Sequence, residues 1–232
     1  VQTDLFGNIV PGQKSEVRGQ KSDNEKDEVS DFSAYADNTA ADKNINNTPH
    51  NYILVDTPEK IKELITVLQS AKEICFDTET TGIDANDCEL VGLSFSVKPH
   101  EGYYVPCPAK QDETKKILKH FEKLFADESK NWIGQNIKYD LLVLKWYGTE
   151  LKGNLFDTML AHYVIEPDGK RSMDILSSQY LGYEPVHIEE LIGKKGKGQG
   201  TMRDVEVEKV KDYAAEDADI TLQLKQVFLP QL

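Results

Sequence analysis

Apolar and polar positions follow two periods from residue 51 onward and neither period before it. Residues 52–55 (YILV) read as a short strand. Thr57 and Pro58 follow as an N-cap and a first helical position, and Ile61, Leu64, Ile65 and Leu68 give the helix one apolar face. Residues 73–78 read as a strand ending in carboxylates, and 90–97 (LVGLSFSV) and 102–107 (GYYVPC) as the next two. Three consecutive strands predict an antiparallel meander. An amphipathic helix is expected over 114–125, a short apolar strand over 132–134, and helices over 139–146, 158–165 and 172–180, with Gly182 just beyond the last. A long helix over 205–227 stops before Pro230. Strands and helices in this order predict an α/β fold: three antiparallel strands, then parallel strands, in one mixed sheet flanked by helices.

Residues 11–49 are rich in Asn, Asp, Lys, Ser and Gly and carry few large apolar groups. Such a stretch cannot bury enough surface to offset its ordering entropy, so residues 1–50 read as a flexible linker and 51–232 as the folded domain. Residues 1–10 (VQTDLFGNIV) are more apolar and read as a frayed tail or a docking segment. The chain lacks an initiator Met, which suggests a piece of something longer. Its 232 residues can bury a core without disulfides. The three cysteines, Cys75, Cys88 and Cys107, show no CxxC spacing and fit a reduced, cytoplasmic setting. No signal peptide is visible, and no apolar stretch approaches the roughly 18 residues of a membrane span. A net charge of −13 excludes a basic coat for nucleic acid. Nucleic acid as a substrate stays open, because bound cations can reverse a local field.

Candidate chemistry lies in four places. In ICFDTE, Asp77 and Glu79 are two apart on a strand and leave the same face. They repel unless a cation lies between them, and hard divalent cations prefer such oxygens. Taken alone, the pair also reads as a polar strand end facing water. In NIKYD, Asp140 sits at a helix start, where an acid is ordinary. In YAAED, Tyr213 and Asp217 share one helical face, Ala214 and Ala215 permit close packing, and Ala218, Thr221 and Leu222 look buried. Glu216 there reads as solvated, whereas Asp217 borders an apolar face and needs a partner or a metal. The fourth place, GKKGKGQG at 193–200, is a lysine-bearing glycine loop without the P-loop pattern. It reads as a clamp for a phosphodiester backbone or as a plain exposed loop. His162 reads as a packed or surface residue, Asp157 as an N-cap, and Trp132 and Trp146 as core or rim groups. No nucleophile-elbow arrangement of Ser, His and Asp is present.

Four acids and a tyrosine suit phosphodiester hydrolysis. Two metals about 3.5–4 Å apart activate water and stabilise the leaving oxygen, and carboxylates are their natural ligands. A tyrosine hydroxyl can hold the attacking water.

The ordered motifs FDTET at 76–80, GQNIKYD at 134–140 and YAAEDADITLQ at 213–223 resemble the DEDD superfamily of 3′-5′ exonucleases, in its tyrosine subgroup. LVGLSF at 90–95, FDTML at 156–160, MDIL at 173–176 and the Gly/Lys loop extend the resemblance to the proofreading domains of bacterial DNA polymerase I. It covers about residues 52–232 and implies an RNase H-like fold with a five-stranded mixed sheet. It further implies two divalent cations, Mg²⁺ or Mn²⁺, held by Asp77, Glu79, Asp140 and Asp217. Asp77 would bridge both ions, Asp140 would hold the second, and Tyr213 with Glu79 would orient the nucleophile. Gln135, Asn136, Tyr139 and Ile83 would meet the single-stranded 3′ end of DNA, with Ile83 as an apolar wedge. Lys194, Lys195 and Lys197 would face the backbone. Ile188 stands where some relatives carry an aromatic, so stacking there is expected to be weaker. The implied whole is a monomer in the bacterial cytoplasm, bound to DNA, with a covalently linked polymerase domain downstream. The chain itself stops at VFLPQL and is expected to make no DNA. Two rival readings are an RNase D-like nuclease acting on RNA and a non-catalytic module that holds DNA.

Overall fold

The computed structural model describes residues 41–232. The tail or docking segment at 1–10, and the expected linker of 1–50 up to residue 40, lie outside the described residues. The strands are β1 (Lys43–Asn44), β2 (Asn51–Leu54), β3 (Glu73–Thr80), β4 (Leu90–Ser96), β5 (Glu101–Pro106), β6 (Asn131–Gly134), β7 (Asn154–Asp157) and β8 (Tyr183–Glu184). The helices are α1 (Pro58–Ser70), α2 (Gln111–Phe125), α3 (Lys138–Trp146), α4 (Thr158–Ile165), α5 (Met173–Leu181), α6 (Ile188–Ile192) and α7 (Val207–Phe228). No helix among the described residues is long and apolar enough to cross a membrane.

Six strands form one sheet in the order β2-β5-β4-β3-β6-β7. The meander β3-β4-β5 is antiparallel, whereas β2 joins β5, β6 joins β3, and β7 joins β6, in parallel. The α/β class and the mixed sheet are as expected, with one strand more than the five implied. Alternation along β3 decides which side chains go where. Ile74 and Phe76 enter the main core with α1 and α2, where Phe95, Phe125 and Trp132 meet Phe76 tilted or edge-on and Phe121 stacks on Phe95. Cys75 faces the other way, onto Ala218 and Leu222 of α7.

The long helix α7 lies across that second face. Small residues bring it close: a Cβ at Gly102 would fall 2.6 Å from the Ala215 carbonyl oxygen. Near its far end the buried Lys225 bonds both oxygens of Glu73 at 2.8 Å. From Asp217 to Lys225 is about 12 Å of helix, and from Asp77 back to Glu73 about 13 Å of strand. The helix therefore runs against β3 in matched register, with Lys225 at one end of the strand and Asp217 at the other.

Several expectations need correction. Residues 43–50 belong to the fold: Lys43–Asn44 pairs with Tyr183–Glu184 and the Asn47 side chain closes a turn on Asn44 and Asp42. Polar composition hid this, because backbone pairing and Asn side chains carry it rather than apolar burial. Helix α2 begins at Gln111, with Asp112 and Glu113 favourably placed at its positive end. Helix α7 begins at Val207, since Met202–Asp204 forms a separate 3₁₀ turn and Val205 is extended. β7, β8 and α6 were not expected; each is at most five residues long. The Thr57 cap, Pro58 start and left-handed Gly182 C-cap are as read from the sequence.

Candidate active site

Asp77 and Glu79 leave the α7 face of β3 at its C-terminal end. One carboxylate oxygen from each, and one from Asp217, lie within 4.8 Å of one another. Cross-strand partners make the space. Ser94 stands opposite Asp77, and Gly92 opposite Glu79, where a Cβ would run into the Tyr104 ring. A register shift follows Glu79 directly. Asp140, at the start of α3, lies outside the close group of three. It is buried, and its Oδ1 accepts bonds from the Thr78 backbone N–H at 3.0 Å and from the Thr78 hydroxyl. Tyr213 sits one turn before Asp217 on the same helical face, near enough for each to perturb the other.

Electrostatics reveal what the site lacks. Burial raises the Asp77 carboxyl to about 7. Burial and then the charges of Asp77 and Asp140 push Glu79 well up, and burial and then Glu79 and Asp77 do the same to Asp217. Asp140 is raised by burial and by Asp77, against the Thr78 hydrogen bonds. Among the described residues no lysine, arginine or histidine offsets any of the four. Burial, Asp217, Glu79 and Asp77 raise the Tyr213 hydroxyl, which keeps its proton and remains a donor. Uncompensated carboxylates converging on one point are costly alone and fit a hard divalent cation, which would relieve the repulsion.

The other expected residues have varied settings. Ile83 is 94% exposed on the loop after β3. The Tyr139 hydroxyl donates to Gly82 O at 2.6 Å and lies 2.7 Å from Thr80 Oγ1, so it ties that loop to α3. Gln135 spends its side chain on the Arg171 carbonyl, at 2.8 Å, and on the Thr158 hydroxyl. Asn136 has φ +57°, held by a bond from its N–H to Asp157 Oδ1. Asp157 also caps α4, as expected. Lys194, Lys195 and Lys197 are exposed on the Gly/Lys loop and are not ion-paired with the acid group. His162 is packed against Tyr180 and Phe228. Trp132 is core, while Trp146 is largely exposed.

Sequence reasoning misread one acid, Glu216, and passed over two other groups, Asp219 and Thr78. Glu216 is fully buried rather than solvated, and accepts from the Tyr183 hydroxyl and Val186 N–H. Asp219 is buried as well and accepts from the Tyr52 hydroxyl, His100 N–H and Gln223. The one signal available was that residues 214–222 lie in a helix too central to have a solvated side. Thr78, which anchors Asp140, gave no signal of its own inside the DTE run.

The chain belongs to the 3′-5′ exonuclease family, which matches residues 52–232. Relatives agree. DNA polymerase I of Pseudomonas aeruginosa is 40% identical over 174 residues, covering 71% of this chain and 19% of that protein. DNA polymerase I of Borreliella burgdorferi is 36% identical over 184 residues, covering 78% of this chain and 20% of that protein. The chain thus spans about a fifth of the length of these relatives. Among solved structures, RNase D of Trypanosoma brucei superposes with a TM-score of 0.64 at 19% identity, covering 78% of this chain and 65% of that one. NrnC of Brucella melitensis with bound Mg²⁺ gives 0.57 at 19% identity, covering 80% and 82%. These likenesses establish the RNase H-like fold.

Proposed function

We propose that this domain hydrolyses the terminal phosphodiester at the 3′ end of a DNA strand, as the proofreading part of a DNA polymerase I. The observation that carries the reading is the close group of Asp77, Glu79 and Asp217, with Tyr213 beside it and no cationic side chain to offset it. Two divalent cations, Mg²⁺ or Mn²⁺, bound by Asp77, Glu79, Asp217 and Asp140 would supply an activated water and charge for the leaving oxygen. The chain's own residues do the rest. Tyr213 keeps its proton, and its hydroxyl can hold the attacking water by a hydrogen bond, with Glu79 as an acceptor for that water. Water attacks phosphorus, the bond from phosphorus to the 3′ oxygen breaks, and that oxygen takes up a proton. A nucleoside 5′-monophosphate and a shortened strand result.

Substrate placement follows from the surroundings. Ile83 stands free to wedge beside the terminal base, on a loop that Tyr139 holds. Gln135 and Asn136 lie in the turn before Asp140, and Lys194, Lys195 and Lys197 offer charge to the backbone. DNA is favoured as the substrate by the 36–40% identity to DNA polymerase I segments. The same relatives support a covalently linked polymerase domain and a cytoplasmic setting.

The test is a 5′-labelled single-stranded oligonucleotide, as DNA and as RNA, incubated with Mg²⁺, Mn²⁺ or chelator. The expected result is a metal-dependent ladder shortening from the 3′ end of DNA, absent in Asp77→Ala. Tyr213→Phe is expected to slow it by about 10²-fold or more while Mg²⁺ still binds. Faster cleavage of RNA than of DNA would move the assignment to an RNA-processing nuclease. Binding without cleavage under every condition would leave only a DNA-holding module.

A further inference from the structure

The acid directly before Asp217 takes no part in the metal-binding group. Glu216 is fully buried, and its two oxygens serve different donors. Oε1 accepts from the Tyr183 hydroxyl at 2.6 Å, and Oε2 from the Val186 N–H at 2.8 Å. Val186 leads at once into His187, which caps α6, and the Gly/Lys loop follows α6. The loop stands on that helix: Gly193 N–H donates to Glu189 O at 3.0 Å, Gly200 N–H to Ile192 O at 2.8 Å, and Gln199 Nε2 to Gly193 O at 3.0 Å. Its far root is pinned too. The Arg203 guanidinium donates to Leu90 O at 2.7 Å and to Cys107 O. Leu90 pairs with Thr80, the residue after Glu79. The near root is thus fastened to α7, which carries Asp217, and the far root to β4, the strand paired with the one that carries Asp77 and Glu79.

We infer that Glu216 is a positioning residue that locks the root of the Gly/Lys loop to the helical turn bearing Asp217, so that the loop lysines meet the substrate backbone in fixed register with the carboxylates. The inference rests on the exonuclease reading above. Between its roots the loop is exposed and has Gly193, Gly196 and Gly198 at positive φ, and its internal hydrogen bonds come from Gln199 rather than from Lys194, Lys195 or Lys197. Its orientation comes from its ends. A carboxylate suits the near end because two donors from separate places need two acceptors. A glutamine there keeps one acceptor and turns an amide NH₂ toward another donor. Loosening that root costs contacts to a long strand, while the groups at the scissile phosphate keep their places.

The test compares the whole chain with its Glu216→Gln and Tyr183→Phe variants on two substrates. One is a single-stranded DNA oligonucleotide. The other is p-nitrophenyl thymidine 5′-monophosphate, which offers one nucleotide and no further phosphates. For Glu216→Gln, KM on the oligonucleotide is expected to rise about tenfold, the loss set by one broken buried hydrogen bond and one misplaced donor. Hydrolysis of the small ester and the Mg²⁺ titration are expected to stay within about twofold of wild type. Tyr183→Phe removes a single bond and is the milder variant if Glu216→Gln fails to fold; its KM is expected to rise about threefold, on the same substrate only. Equal losses on both substrates, or an unchanged KM for the oligonucleotide, would overturn the inference while the exonuclease reading stands. A wild-type chain inactive on both substrates would overturn that reading, and this inference with it.

Discussion

Asp217 meets two demands that oppose each other. It must be ionised to hold a cation, and it is buried beside Glu79 and Asp77, which resist its ionisation. Without metal that repulsion is a cost to the fold; with metal it becomes affinity. Asp217→Asn removes one charge from the group and keeps its shape. In chelator the variant is expected to melt higher than wild type, by about 2–4 °C if the relief is near 1 kcal/mol. In Mg²⁺ the order is expected to reverse, with cleavage of DNA lost. Calorimetry or a circular-dichroism melt in both buffers checks this; a variant less stable than wild type in chelator would mean that Asp217 supports the fold in its own right. Glu216, its neighbour, differs only in environment, since its oxygens have donors to meet. Two adjacent acids on one helix thus have opposite roles, and no local pattern distinguishes them, because Tyr183 lies 33 residues away along the chain.

At the scale of elements, α7 against the β3-β4-β5 face aligns the site. The helix brings Asp217 and Tyr213 to Asp77 and Glu79 only because it lies very close, over Gly102 and through Ala214 and Ala215. Gly102→Ala would place a Cβ 2.6 Å from the Ala215 carbonyl oxygen and 2.8 Å from its Cβ. Backbone lies on both sides, so the helix has to move. A stability loss of about 1–3 kcal/mol is expected, with a larger proportional loss of exonuclease rate as the carboxylates part. Thermal melts and single-strand cleavage, measured together, would sink this argument if stability fell and the rate did not. Much of this element was legible: the YAAED run and its small residues gave close packing on a sheet, and alternation in ICFDTE gave both acids on one face. What stayed hidden rests on contacts between distant segments. β1 and β8 pair over two residues each, with 138 residues between Asn44 and Tyr183, and neither has an apolar pattern to betray it. β7 has an exposed Leu155, and its place beside β6 comes from backbone pairing.

For the whole molecule the consequence is a stability that runs against pH when metal is absent. The carboxyls of Asp77, Glu79, Asp140 and Asp217 are all raised in the folded state. Below about pH 4 such groups are neutral folded or unfolded, and they cost nothing. As pH rises past that point the unfolded chain loses protons that the folded chain keeps, so their contribution to stability falls; for Asp77 the fall continues until about pH 7. The surface acids with lowered values, Asp56, Asp127, Glu150 and Asp204, act the other way, but theirs is lost only as pH drops below the ordinary carboxylate range. Between pH 5 and 8 the buried group therefore sets the slope together with Glu216 and Asp219, opposed by His162, whose imidazole is lowered by burial, and joined by His187. Its imidazole, despite burial, is raised by Asp174 and Glu184, and its contribution is also lost as pH rises. A bound cation selects the ionised acids, so its stabilisation grows over the same window. Melts at pH 5, 6, 7 and 8 should show a midpoint that declines in chelator and an upward shift with Mg²⁺ that widens at each step. Asp217→Asn separates the acids from His187, because it should flatten the Mg²⁺-dependent widening and leave the histidine's part of the decline in place. A Mg²⁺ shift of equal size at pH 5 and pH 8 would mean that the acids are ionised before the metal arrives, and that the repulsion inferred from their burial is already relieved within the protein.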